Sequence, residues 1–212
     1  TGVIFAPTRQ LVTSIDQQAL GFPVVMIDRV SADAATDAVV LDNRRAAATL
    51  VEHLLAQGYR DIAGVFGNTS STGMERHAGF AEAMQQAGLP APAQFVAPSV
   101  EAAEQAVLAM LAAPQRPRAL VVSNGVLMLG AVRALKSAGL HWPQDVALAG
   151  FDNDVWTELL GDGLTVIEQP VGEIGRAAMA MLLERLDDAE RSPRIVVLQG
   201  KLLARGSSAP AC

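Results

Sequence analysis

Apolar residues along this chain alternate between two rhythms. Short, nearly unbroken apolar runs at 2–6, 23–27, 38–41, 62–66, 119–122, 146–149 and 164–167 read as strands, because runs this short bounded by turn formers do not make helices. Between them the spacing changes to three and four. Ala47, Leu50, Val51, Leu54 and Leu55 predict a helix that begins at the N-cap candidate Asn43 and stops at Gly58. Met74, Ala78, Ala81 and Met84 predict a second, stopped by Gly88. Ser99 caps an alanine-rich helix that ends near Pro114, and Asn124 caps a helix over 125–138 ended by Gly139. Ile174, Ala178, Met181 and Leu182 stripe a helix over 171–187. A weak helix is expected before Gly21, and 195–198 with 202–204 read as a hairpin-like pair of strands around Gly200.

This alternation of strand and helix implies an α/β fold: parallel sheets built from right-handed crossover units, with helices on both faces. The sequence has no internal repeat and no low-complexity linker. It opens inside a strand with no cap or turn before it, so its first sheet is expected to have lost earlier strands to truncation.

Composition narrows the function. With 212 residues, half of them hydrophobic, the chain can bury one large core or two smaller ones. A net charge of −6 with no basic run argues against this segment gripping nucleic acid by itself. No apolar stretch approaches the roughly 20 residues that span a bilayer, so no membrane partner is expected. The first residues lack the basic flank of a signal peptide. One cysteine, Cys212, supports no internal disulfide, and His53, His77 and His141 lie too far apart to suggest a metal site. No cofactor is expected.

Chemistry concentrates at strand ends. The strand leading through Gly150 delivers Asp152 at its carboxyl end, where open α/β sheets hold ligands. The strand at 164–167 leads likewise into Glu168, Gln169 and Pro170. The stretch 68–80 places hydroxyls and free backbone amides at a helix start, with Arg76 one turn in, where its forked donors reach towards a polyol or carboxylate. The same residues also suit a solvated helix start with Arg76 paired to a nearby acid. Catalysis finds little support: there is no Gly-rich phosphate fingerprint, no phosphate loop and no nucleophile elbow. Asp152 and Asp154 have no nucleophile or metal partner beside them.

Taken together, Gly2 to Phe5, Pro23 to Arg29, Asp42-Asn43, Thr72 to Arg76 with Gly79-Phe80, Ser123-Asn124, Asp145 to Asp152, Leu164 to Arg176, and Arg205 to Ser208 resemble the effector-binding region of lac-repressor/gal-repressor family transcription regulators. The resemblance implies a periplasmic-binding-protein-like fold of two doubly wound parallel-sheet lobes joined by crossover strands. Residues 1–41 and 170–190 would form an incomplete N-terminal lobe, and 42–169 with 191–212 the C-terminal lobe. A helix-turn-helix that binds operator DNA would lie in a part of the protein not present here.

Carried over position by position, the resemblance implies that Arg76, Asn124, Asp152 and Gln169 bond a sugar-like effector in the cleft, with Asp28 contributing from the other lobe. Thr8, Ser71 and Thr72 are loop hydroxyls near the same strand ends, readable as contacts or as ordinary caps and turns. Two positions depart from the family pattern. Gly125 stands where many relatives have aspartate, and Pro98, with Phe95 nearby, stands where some place an aromatic against a sugar face. Phe66 and Phe151 end strands and are expected mainly to pack in the core. Trp156 and the helix over 125–138 correspond to a homodimer interface. The implied function is effector sensing by a cytoplasmic regulator, with a periplasmic sugar-binding protein of a transport system as the alternative. Neither is an enzyme.

Overall fold

The computed structural model describes residues 1–7, 21–30 and 36–210. The weak helix expected before Gly21 and the candidate Thr8 lie outside the described residues. The chain divides into two compact units: Thr1–Asp42 with Thr69–Thr72 and Pro170–Gln199, and Asn43–Asn68 with Gly73–Gln169 and Gly200–Cys212.

The first unit carries strands β1 (Val3–Phe5), β2 (Val24–Ile27) and β3 (Asp37–Leu41). Its sheet runs β1-β2-β3 and then Ile195–Leu198, with every pairing parallel. Val25 and Val39 are fully buried against Ile174, Ala178, Met181 and Leu182, the stripe expected on the helix Val171–Asp187. A buried ion pair anchors the return of the chain: Arg185 Nη2 donates to Asp37 Oδ2 at 2.8 Å, and the Arg194 amide donates to Asp37 Oδ1 at 2.9 Å.

The second unit follows the predicted alternation. It holds α1 (Asn43–Ala56), β4 (Ile62–Gly67), α2 (Ser71–Gln86, whose first two residues group with the first unit), β5 (Ala93–Val96), α3 (Val100–Ala112) and β6 (Ala119–Val122). Then come α4 (Gly125–Ser137), β7 (Ala147–Phe151), the short α5 (Val155–Glu158), β8 (Thr165–Glu168) and β10 (Lys201–Leu203). The first unit's Val171–Asp187 is α6 and its Ile195–Leu198 is β9. The second sheet runs β10-β8-β7-β6-β4-β5, parallel except for β10. Its central strands are buried on both faces, which is why they read as unbroken apolar runs.

Gly58, Gly88 and Gly139 end their helices with φ of +93°, +69° and +67°, a conformation that residues with a Cβ rarely adopt. Asn124 caps α4 as expected, its side chain accepting the Leu127 amide at 2.9 Å. Asn43 departs from expectation: it is the first residue of α1 rather than the residue before it.

The hairpin expected around Gly200 does not form. β9 pairs with β3 in the first sheet and β10 with β8 in the second, so the chain passes from one unit to the other between them. The unit boundary therefore falls at Gln199/Gly200, and 191–199 groups with the first unit rather than, as expected from the sequence, with the second.

Candidate functional site

The second sheet reverses its winding between β4 and β6. From β4 the chain goes outward to β5, then returns to build β6, β7 and β8 on the other side. Loops leaving β4 and β6 diverge at such a point and open a crevice at the carboxyl edge. Four of the sequence candidates gather on this edge within one unit: Arg76, Asn124, Asp152 and Gln169.

Asp152 follows β7 directly and has φ of +73°, left-handed backbone that an L-residue holds only at a cost. Its amide donates to the Ile167 carbonyl at 3.1 Å, which extends the β7–β8 ladder by one bond. Its carboxylate is fixed at both oxygens: Gly125 N–H donates to Oδ2 at 3.0 Å and Gln169 Nε2 to Oδ1 at 2.7 Å. A carboxylate offers about four acceptor positions. Two are used within the protein, so the group is aimed and still able to accept from a ligand. Asn124 spends its Oδ1 on the cap, which leaves its amide NH2 beside Gly67 at the end of β4.

Arg76 is only 4% exposed and ties two strand ends and a helix start together. Nη1 donates to the Ser123 carbonyl at 2.6 Å, Nε donates to Asn43 Oδ1 at 2.8 Å, and the guanidinium carbon lies 3.9 Å from the Phe151 ring centroid. Asn43 in turn donates to Glu75 Oε2 at 2.9 Å. Phe151 and Phe66 are fully buried, so both serve the floor beneath the polar rim rather than its surface. The buried Ser123 hydroxyl accepts the Gly67 amide at 3.1 Å, which bonds the end of β4 to the residue that follows β6.

The remaining described candidates, Asp28, Ser71 and Thr72, belong to the first unit. Asp28 follows β2 as Asp152 follows β7, with φ of +68° and its amide donating to the Val39 carbonyl of the next strand at 3.1 Å. Its side chain is 41% exposed and pairs with Arg29 at 3.2 Å. Ser71 and Thr72 lie in the 69–72 stretch, and the Thr72 hydroxyl is 3.0 Å from Ser70 Oγ. That contact accords with the capping-and-turn reading of these hydroxyls.

Sequence reasoning assigns no site role to three side chains on this edge. Asn43 was read as a cap and is instead a partner of Arg76; Asn153 and Glu168 sit beside Asp152 and Gln169 and bond each other at 2.8 Å. Adjacency to two strand-end candidates was the available signal for the second pair. At the departure noted above, a Cβ on Gly125 would lie 2.7 Å from Asp154 Oδ2, so the Asp154 carboxylate fills the space a side chain there would need.

Among the described residues, no helix is long and apolar enough to cross a membrane, and no cluster of three potential metal ligands occurs. Residues 51–208 match the family of the periplasmic binding protein-like domain. The HTH-type transcriptional regulator KdgR of Bacillus subtilis is 30% identical over 191 residues, covering 87% of this chain and 56% of that protein. The HTH-type transcriptional regulator PtxS of Pseudomonas plecoglossicida is 37% identical over 190 residues, covering 88% and 55%. The chain thus spans little more than half the length of these relatives. The crystal structure of a LacI family transcriptional regulator from Enterococcus faecium with bound ribose matches with a TM-score of 0.87 at 27% identity, covering 99% of this chain and 79% of that one. The chain belongs to the periplasmic binding protein-like domain family, in the form carried by LacI-family transcriptional regulators.

Proposed function

We propose that this chain is the effector-sensing part of a cytoplasmic DNA-binding regulator, and that it binds a small polyhydroxylated, sugar-like molecule without transforming it. The observation that carries this reading is the aimed carboxylate of Asp152, held by Gly125 and Gln169 at the carboxyl edge of a doubly wound sheet. Ligand hydroxyls would donate to Asp152. Asn124 and Gln169 would supply amide donors and an acceptor, and Arg76 would hold the strand ends in register. Asp28 is the corresponding acceptor of the first unit, with Ser71, Thr72 and Thr8 as further hydroxyls. The relatives named above are regulators, which favours this reading over transport.

A ligand shifts a regulator only by the difference in its affinity for two arrangements of the protein. Operator DNA would be held by a helix-turn-helix outside this chain, in a homodimer. Support for the dimer comes from the second unit, where Val126 and Leu129 of α4 and Val155 and Leu159 beside Trp156 are exposed, the last two by 79% and 76%.

Thermal-shift measurements with pentoses, hexoses and nucleosides, followed by calorimetric titration of any that respond, test the proposal. A bound ligand raises the melting temperature by mass action. The expected result is a saturable shift by at least one sugar that disappears in Asp152→Ala. A ligand that binds Asp152→Ala as tightly as the parent chain rejects the site.

A further inference from the structure

We infer that Arg205 is the positioning residue for Asp152, a role that rests on the effector reading of Asp152. Two side-chain rungs cross from the residues leaving β7 to those ending β8. Gln169 Nε2 donates to Asp152 Oδ1 at 2.7 Å, and Asn153 Nδ2 donates to Glu168 Oε1 at 2.8 Å. Arg205 fixes the second rung from behind, its Nη2 donating to Asn153 Oδ1 at 2.7 Å.

The rest of the guanidinium is anchored in the connection between β7 and β8. Nη2 also donates to Glu158 Oε1 at 2.8 Å, while Nη1 donates to the Leu164 carbonyl at 3.0 Å and the Thr157 hydroxyl at 3.2 Å. Its backbone is held too, the Arg205 amide donating to Thr165 Oγ1 at 2.8 Å. One planar fork therefore spans the connection from Asn153 to Leu164. A lysine carries a point charge and cannot direct donors to four acceptors on two sides.

Position 163 is shaped for this arrangement. Gly163 has φ of +81°, and a Cβ there would lie 2.7 Å from Arg205 Cδ, so the missing side chain is the space through which the arginine stem passes. The Glu158 partner is 58% exposed and contributes little on its own, Leu164 and Thr157 anchor the fork, and the Asn153 bond is the one that reaches the residue next to Asp152. Asn153 immediately follows Asp152. Fixing its side chain fixes the peptide after a residue in left-handed backbone, a conformation that persists only where its surroundings over-determine it.

Amide exchange in the ligand-free chain, followed by NMR, reads this directly. The Gly125 N–H sits at the first turn of α4 and is bonded to Asp152 Oδ2, so its protection reports whether that carboxylate is in place. In Arg205→Gln, Gly125 should exchange roughly tenfold faster or more, while the Leu148 and Ala149 amides of β7 keep parental rates. Arg205→Lys should not rescue it, and Glu158→Gln should leave Gly125 unchanged. If Arg205→Gln does not fold, Asn153→Ala severs the same link while sparing the other anchors of Arg205, with the same expected loss.

Parental Gly125 protection in a folded Arg205→Gln or Asn153→Ala chain overturns the inference, as does uniform deprotection of β7 along with Gly125. Because no ligand is present, the effector reading fails separately: selective loss at Gly125 together with sugar affinity indifferent to Asp152→Ala would keep the positioning and discard the effector.

Discussion

The amide of Gly125 donates to Oδ2 of Asp152 at 3.0 Å, so the first turn of α4 and the carboxylate that follows β7 share one hydrogen bond. An N-terminal helical amide would otherwise need water or a cap, and an aspartate at this end of a helix is favoured by the backbone dipole. Asn124 caps the third amide of the same turn, so two consecutive crevice residues of the β6–α4 turn each serve the helix and the site.

Asp152→Asn preserves the shape of the side chain and removes its charge. Gln169 can turn its amide to accept from the new NH2, so the melting temperature should change little. Sugar affinity should fall by about 10- to 100-fold, the worth of a charge-assisted hydrogen bond. Calorimetry beside a urea melt separates the two effects, and equal affinity would remove Asp152 from the ligand's partners.

Arg76→Ala should damage the fold as well as the site. It removes the guanidinium donors to the Ser123 carbonyl and Asn43 Oδ1 and strips the Phe151 ring of its cation. The expected loss is about 3 kcal/mol in a urea melt. Arg76→Lys should recover only part of it, having no fork. A loss under about 0.5 kcal/mol, the range of ordinary surface substitutions, would contradict the role as a tie between strand ends.

Gly125→Asp should crowd Asp154, whose Oδ2 lies 2.7 Å from where the new Cβ would stand, and set a third carboxylate beside Asp152 and Asp154. A cost of about 1–2 kcal/mol follows from the contact and the like charges. Pairing it with Asp154→Asn should return most of that cost in a double-mutant cycle. Strict additivity would show that the two positions do not compete for one space.

Burial holds the imidazoles of His53 and His77 below their ordinary pKa of 6.5, that is, towards the neutral form. His53 Nε2 lies 2.7 Å from Ser208 Oγ, and His77 packs edge-on to Phe66 and Phe95. The unfolded chain therefore takes up these protons first, so this contribution to stability is intact above about pH 6.5 and is lost as pH falls through the lowered values. Urea midpoints at pH 7.5 and 5.5 should differ less in His53→Gln/His77→Gln than in the parent. An unchanged difference would assign the acid sensitivity to other groups.

The strands of the second unit were legible because parallel strands buried on both faces are unbroken apolar runs, and the helix stops because glycine alone enters left-handed backbone freely. β5 was not: Gln94 and the 40%-exposed Phe95 lie on an edge strand, where only one neighbour constrains the pattern. The spacing around Gly200 looks like a turn, yet pairing with β3 or β8 is settled by partners far along the chain, which local periodicity does not report. The site divides in the same way. Asn124, Asp152 and Gln169 stand at or just beyond strand ends and could be found by position, whereas Asn43 and Arg205 earn their places through bonds to Arg76 and Asn153 across long stretches of sequence.

Asp28 and Asp152 are the non-glycine residues with positive φ among those described, one in each unit, each directly after a strand. Glycine at either position would relax the backbone by about 1 kcal/mol. Under selection for thermal resistance alone, both sites should drift to glycine. A lineage that keeps aspartate at 28 and 152 is one in which the loss of a carboxylate matters more than the stability gained.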